Sequence, residues 1–534
     1  MKIKIFIKNT AMLVFTSVLL RTAGIIFRVY LAGKIGSEGM GLYQLIVSVY
    51  IFAAAFATSG ISTAVTRLIA ENESGGYLAV KKIISRAVIL TLAVGLVSSL
   101  VIFFGAEFIA CYMLHDTRAA LSLKVLSFSL IPMGMSSVAR GYFLAKRKTL
   151  EPSLTQIAEQ VIRITSIVLL FKRFSLLGTE YCTAAVLLGD TIAETASFII
   201  LWSLLLKHRK TLHKGSAIKS VTKNITRIAL PITAGTYVST ALHAIENLLV
   251  PLRLALFYGV KERGLSLFGA VRGMALPVLF FPASFLTSLS TLLIPEMSSA
   301  AARGDKREIK RSVAASFRIT LVLSIFASSV FLFLSDEIGF IIYGDLEVGF
   351  MIKMLAPIVP FMYLESVSAG MLKGLDQQVS QFKLGLLDSV VRIVLIFITL
   401  PMHGIKAYLL VMIVSNCFTS FSNSRNLLKT AELKADLLNW IIKPVACALT
   451  SGFLAKTITT CITNLYLKAV VFLILNLAMF FLMSFLFGII TKAEQELILF
   501  KIKPVSRRKP KPLKVCNQPP HNKGRLTPTK KQSF

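Results

Sequence analysis

Apolar runs of about twenty residues follow one another from Phe6 to near Phe500, separated by short charged segments. A run of that length matches the hydrocarbon thickness of a bilayer, and coiled as a helix it satisfies every backbone N–H and C=O within itself. Spans are expected near 6–31, 42–70, 84–109, 119–143, 153–171 and 182–206. A second set follows near 228–257, 266–294, 314–335, 350–371, 380–400 and 405–422, with a last pair near 441–461 and 467–490. The fold class is an all-α polytopic membrane protein of about fourteen helices. With 55% hydrophobic residues and 16% charged ones, a soluble domain of 534 residues is excluded.

The net charge of +33 would suit nucleic acid, but its distribution describes topology instead. Lys81, Lys82 and Arg86, then Lys146, Arg147 and Lys148, then Lys207, Arg209, Lys210 and Lys214, then Arg303, Lys306, Arg307, Lys310 and Arg311 all follow even-numbered spans. The loop after the ninth span is acidic, with Asp336, Glu337, Asp345 and Glu347. The positive-inside rule then puts both termini in the cytoplasm, and an even number of spans agrees. Residues 501–534 are basic and Pro-containing, and read as a disordered, solvated tail. Lys2, Lys4 and Lys8 flank the first span as they would a signal peptide, but its length and the spans behind it read as an uncleaved helix.

The two halves of the chain match at an offset of 229 residues. Lys124 pairs with Lys353, Ser137, Val138 and Gly141 with Ser366, Val367 and Gly370, and Glu159 and Arg163 with Asp388 and Arg392. Earlier in each half the offset is nearer 225, linking Lys81 and Lys82 to Lys306 and Arg307. Six helices per copy bring both copies in from the same side, as parallel repeats about an axis along the membrane normal. The domains follow as an N-terminal six-helix lobe (1–222), a C-terminal six-helix lobe (223–430), two further helices (431–500) and the tail (501–534). Two such lobes around a central cavity are the architecture of a transporter.

Charge inside a span is costly and needs a purpose, about 2.5 to 3.5 kcal/mol for a guanidinium at the centre on insertion scales. Glu159 with Arg163, and Asp388 with Arg392, are four residues apart on one helix and read as structural pairs. Glu246 and Arg253 are two turns apart and pair only through neighbours. Arg21 and Arg28 flank Gly24 on one helical face, with no acid in reach on their own helix. Arg67 and Arg272 are read as locally unpaired as well, Arg67 snorkelling at its span's end and Arg272 deeper, in GAVRGMALP, where Gly269, Gly273 and Pro277 suggest close packing and a bend. Arg21, Arg28 and Arg272 are the candidate substrate-binding residues. Several guanidiniums around one cavity select an anion, and their planar fork suits phosphate oxygens. Asp190, Glu194, Glu246 and Glu365 are candidate acids, either for cation coupling or for neutralising those arginines.

Other chemistries find no support. His243 and Glu246 stand as HAIE, not HExxH, and His243 reads as packed. Cys111, Cys182, Cys417, Cys447, Cys461 and Cys516 are scattered without a CxxC pair, so neither a metal site nor a disulfide framework is indicated. There is no P-loop and no nucleophile elbow, so neither an enzyme nor a bound cofactor is expected.

The stretch RTAGIIFRVYLAGKIGSEGMGLYQL, followed by SGISTAVTRLIAE, resembles the stage V sporulation protein B group of polysaccharide exporters. That group belongs to the multidrug, oligosaccharidyl-lipid and polysaccharide flippase superfamily, whose members have twelve to fourteen helices in two six-helix lobes. In the related lipid II flippases, arginines of the first, second and eighth helices face the cavity and contact a lipid-linked pyrophosphate. By motif, Arg21 and Arg272 correspond to two of these, while Arg28 sits one residue further from Gly24 than its counterpart and Ala55 occupies the place of the second-helix arginine. That departure argues against lipid II itself as the substrate.

The resemblance implies flipping of an undecaprenyl-pyrophosphate-linked saccharide across the plasma membrane by alternating access. Membrane lipids would be the other partner, with no nucleic acid, and the sequence leaves the oligomeric state open. Two competing readings are a drug/cation antiporter, which would place a carboxylate in the N-lobe cavity, and a non-transporting envelope-assembly scaffold.

Overall fold

The computed structural model describes residues 2–58, 60–72, 76–174, 178–209 and 220–489. The basic tail 501–534, the end of the segment 431–500, Cys516 and the loop cations Lys210 and Lys214 lie outside them. Every regular element among the described residues is helical.

The first half runs through α1 (Lys2–Thr58), α2 (Ile61–Glu71), α3 (Gly76–Phe108), α4 (Ala119–Ser127), α5 (Leu130–Ala145), α6 (Leu150–Phe174) and α7 (Thr179–Arg209). The second runs through α8 (Val221–Tyr258), α9 (Lys261–Gly269), α10 (Leu276–Phe280), α11 (Ala283–Ala302), α12 (Lys306–Phe333), α13 (Ser335–Tyr343), α14 (Leu346–Leu355), α15 (Val359–Gly374) and α16 (Gln378–Thr430). A final pair, α17 (Lys443–Thr459) and α18 (Leu465–Leu486), closes the described chain. Eleven of the helical stretches among the described residues are long and apolar enough to cross a membrane, and twelve if the bent pair α4 and α5 is one span. The protein is a multi-pass membrane protein.

Helix breaks differ from the uniform spans read in the sequence, and each break has a local cause. α1 turns at Gly36 (φ 68°) and α16 at Gly404 (φ 60°), left-handed backbone that glycine adopts without steric cost, so each long element is two helices joined at a kink. The predicted span 266–294 is interrupted by a turn at Phe281–Pro282, and the helix before it is irregular. Pro277 has no N–H, which releases the carbonyl four residues earlier, and Ala270–Ala275 winds as a π-helix in which the Leu276 N–H reaches Val271 O instead. The wider turn carries Arg272.

These irregularities recur at the sequence offset. α5 and α15 begin and end 229 positions apart, as do the left-handed residues His115 and Gly344, and Arg147 and Asp376. At one place two equivalent positions touch, where Ser37 Oγ lies 2.7 Å from Ser266 Oγ, 229 residues on. Contact there is backbone to backbone: a Cβ on Gly269 would lie 1.9 Å from the Ser37 carbonyl oxygen and 2.5 Å from the Gly41 nitrogen. This seam joins the kink of α1 to α9.

The last two helices dock through buried polar contacts as well as apolar ones. Ser451 donates to Asn476 Oδ1 at 2.7 Å, and Asn476 Nδ2 donates to Ser329 on α12 at 3.3 Å. Lys456 and Lys468 both reach Glu337 Oε1, at 2.7 and 2.9 Å, which turns one acid of the predicted loop into a helix clamp on α13. Burial pushes the Glu337 carboxyl up, and the two lysines more than reverse this, holding it below the usual glutamate range. A lowered folded-state value contributes stability fully above the unfolded value and loses it as pH falls through the lowered one. Acidification below about pH 4 is therefore expected to loosen α17 and α18, as is Glu337→Gln at neutral pH. Hydrogen exchange over 443–486 measures both, and protection unchanged in the variant would mean that apolar packing alone holds the pair.

Candidate functional site

The residues that line the central cavity come from both halves of the chain. Arg21, Gly24, Ile25, Arg28 and Gln44 enter from α1, Asn247 from α8, Arg272 from the π-turn, Leu276, Pro277 and Phe280 from α10, and Met362 and Ser366 from α15. They enclose about 530 Å³. Arg21 and Arg28 are two turns apart on one face of α1, as helical periodicity requires, and both are exposed to the cavity. Among the described residues neither has a carboxylate within ion-pairing distance. Ala55, where a further arginine stands in the lipid II flippase pattern, is buried in helix packing.

Arg272 is different. Its Nη2 lies 2.5 Å from Glu246 Oε1 and its Nε donates to Tyr408 Oη at 2.9 Å. The Glu246 side chain is only 1% exposed, and Arg392 reaches the same oxygen at 3.4 Å. Arg392 in turn holds Asp388 at 2.5 Å, and Ser415 donates to the other Asp388 oxygen at 2.7 Å. Acids and bases thus alternate along Arg272, Glu246, Arg392 and Asp388, and their formal charges cancel. With Arg272 paired, Arg21 and Arg28 are the cavity arginines left without an ion-pair partner among the described residues, and they can draw in an anion.

The first half carries its own network behind Arg28. Arg163 lies 2.9 Å from Glu159, 2.9 Å from Asp190 and 3.8 Å from Glu194, and Arg140 reaches Glu159 at 3.2 Å. A chamber of about 280 Å³ is lined by Arg163, Asp190, Glu194, Tyr43 and Tyr50, and Gly24 and Arg28 line it as well. Arg28 therefore stands in the wall between the two chambers.

Some sequence expectations are corrected. Arg67 has an acid on its own helix after all, Glu71 at 2.6 Å and four residues on, and both side chains are exposed. Arg253 does not pair with Glu246. Its guanidinium stacks 3.5 Å from the Phe397 ring, and Glu246 turns to Arg272 instead, because the cavity side of α8 faces the π-turn. His243 is not packed: its side chain is 53% exposed, with Nδ1 3.6 Å from Glu246 Oε2. Tyr408, Gln44 and Asn247 were not singled out from the sequence. Each is one neutral polar residue in an apolar helix, and only the facing elements give it significance.

Known proteins resemble this chain in sequence and in fold. The family model described as polysaccharide biosynthesis protein matches residues 6–301, more than half of the chain. The chain is 24% identical over 463 residues to stage V sporulation protein B of Bacillus subtilis (strain 168), covering 85% of this chain and 89% of that one. It is 19% identical over 403 residues to the lipid II flippase MurJ of the same organism, covering 70% and 73%. Among solved structures, a lipid II flippase MurJ in an inward closed conformation superposes with a TM-score of 0.71 at 16% identity, over 91% of this chain and 99% of that one. An inward-facing multidrug resistance MATE family transporter of the MOP superfamily gives 0.60 at 12% identity, over 78% and 98%. The fold is that of MurJ and the MATE transporters, and with its first three hundred residues matched the chain belongs to the polysaccharide biosynthesis protein family.

Proposed function

We propose that this protein flips an anionic, undecaprenyl-pyrophosphate-linked saccharide across the plasma membrane. The observation that carries the reading is one cavity walled by Arg21, Arg28 and Arg272 from both halves, two of them without a counter-ion among the described residues. A pyrophosphate supplies the missing negative charge, and the arginine fork accepts its oxygens in pairs. The description of the polysaccharide biosynthesis family and the name of the lipid II flippase support a lipid-linked saccharide as cargo, and Ala55 argues against lipid II itself.

The helices count as fourteen spans when α1 and α16 are each divided at their kinks and α4 with α5 is taken as one. Two lobes at 1–222 and 223–430 then carry six each, with the final pair beyond them. With both termini cytoplasmic, the Ser37–Ser266 seam lies at the outer end and the cavity opens inward. The lobes rock about this cavity to present the anion to either face while the lipid chain stays in the bilayer.

The antiporter reading draws on the acids of the first half. Glu159, Asp190 and Glu194 all lie within 4 Å of Arg163, however, and Glu159 also meets Arg140, so most of their charge is matched within the first half. The scaffold reading predicts that cavity substitutions harm only folding. Transfer of a fluorescent undecaprenyl-pyrophosphate saccharide in proteoliposomes separates these. Arg21→Ala, which breaks no ion pair, is expected to fold normally and to slow transfer by roughly 10- to 100-fold, as loss of one charge-assisted phosphate contact implies. Normal transfer in that variant, or export of cationic dyes by the wild type, would reject the proposal.

A further inference from the structure

Asn247 follows Glu246 on α8 and lines the arginine cavity. Its Nδ2 donates across the seam between the halves to Ser48 Oγ, at 2.9 Å. Ser48 has a single hydroxyl hydrogen, committed to the Gln44 carbonyl at 2.7 Å. Toward Asn247 it is therefore only an acceptor, which fixes the amide: the NH₂ faces Ser48 and the carbonyl oxygen faces away. That oxygen, Oδ1, is buried and has no donor among the described residues. Nearly all buried acceptors in folded proteins are satisfied, so an orphan at a cavity wall calls for a hydrogen supplied from the cavity.

We propose that Asn247 Oδ1 accepts a hydrogen bond from the first sugar beyond the pyrophosphate, and so senses whether the anion carries a saccharide. The inference rests on the flippase reading. The ligand chemistry is a hydrogen-bond donor on a sugar joined directly to phosphate, either a hydroxyl or an acetamido N–H. Position favours this, because Glu246 holds Arg272 at the phosphate end and the next residue offers its acceptor one step away. A neutral amide suits the place, since a carboxylate there would repel the phosphate. Gln44 lines the same cavity from the opposite half and offers a second amide.

The test compares transfer of three fluorescent lipids by the full chain in proteoliposomes: undecaprenyl pyrophosphate bare, carrying glucose, and carrying N-acetylglucosamine. Asn247→Leu is expected to slow the saccharide lipids by roughly 10- to 100-fold more than the bare lipid, since loss of the Ser48 contact acts on all three alike. Asn247→Ala gives the same reading without bulk if the leucine variant folds poorly. Slowing of both saccharide lipids identifies a hydroxyl donor, and slowing of the N-acetylglucosamine lipid alone identifies the acetamido N–H. Equal slowing of all three lipids, or of none, overturns the assignment. Failure of the wild type to move any of them overturns the flippase reading and this assignment with it.

Discussion

Arg272→Gln is expected to cost both stability and transfer, and only the second loss should survive repair of the first. The substitution leaves Glu246, almost fully buried, with Arg392 at 3.4 Å and His243 at 3.6 Å in place of a partner at 2.5 Å. Removing one member of such a pair destabilises by about 3 to 5 kcal/mol, because the remaining charge stays buried. Glu246→Gln removes that charge, so the double variant should regain most of its thermal stability. If Arg272 also holds the pyrophosphate, transfer by the double variant stays roughly a hundredfold below wild type. Transfer that returns together with stability would make Arg272 a counter-ion of Glu246 and nothing more.

Gly269→Ala should open the seam between the halves. The added Cβ would lie 1.9 Å from the Ser37 carbonyl oxygen and 2.5 Å from the Gly41 nitrogen, backbone atoms that no rotamer change can move. Overpacking typically costs about 1 to 3 kcal/mol, and the absence of any flexible neighbour puts this case at the upper end. A shift of that size changes the balance between closed and open forms by roughly a hundredfold, enough to empty the conformation described here. Oxidative cross-linking of a Ser37→Cys, Ser266→Cys pair reports the seam directly, because the native hydroxyls are 2.7 Å apart. Cross-linking should be efficient with Gly269 and lost with alanine. Equal yields in both would show that the helices part without consequence, and that the seam does not hold the closed state.

Much of the fold was legible without coordinates. Apolar runs of bilayer length leave the backbone no alternative to helices, and Lys124 with Lys353 or Glu159 with Asp388 betrays the repeat because polar residues recur rarely by chance in such runs. The kinks were less visible. Gly36 and Gly404 look like any other glycines in a hydrophobic run, and the π-turn at Arg272 depends on Pro277 together with packing of Gly273 against Met40.

The sequence by itself determined that the chain is a helical membrane protein with an internal repeat, and that Arg21 and Arg28 share a helical face with Gly24, since hydrophobic length and helical period are local properties. Only the tertiary structure decided which charges are satisfied. Arg272 and Glu246 are 26 residues apart, Ser48 and Asn247 are 199 apart, and Arg28 stands between two chambers built by different helices. Ion pairing and hydrogen bonding act over a few ångströms, and no local pattern records which distant helices the fold brings that close.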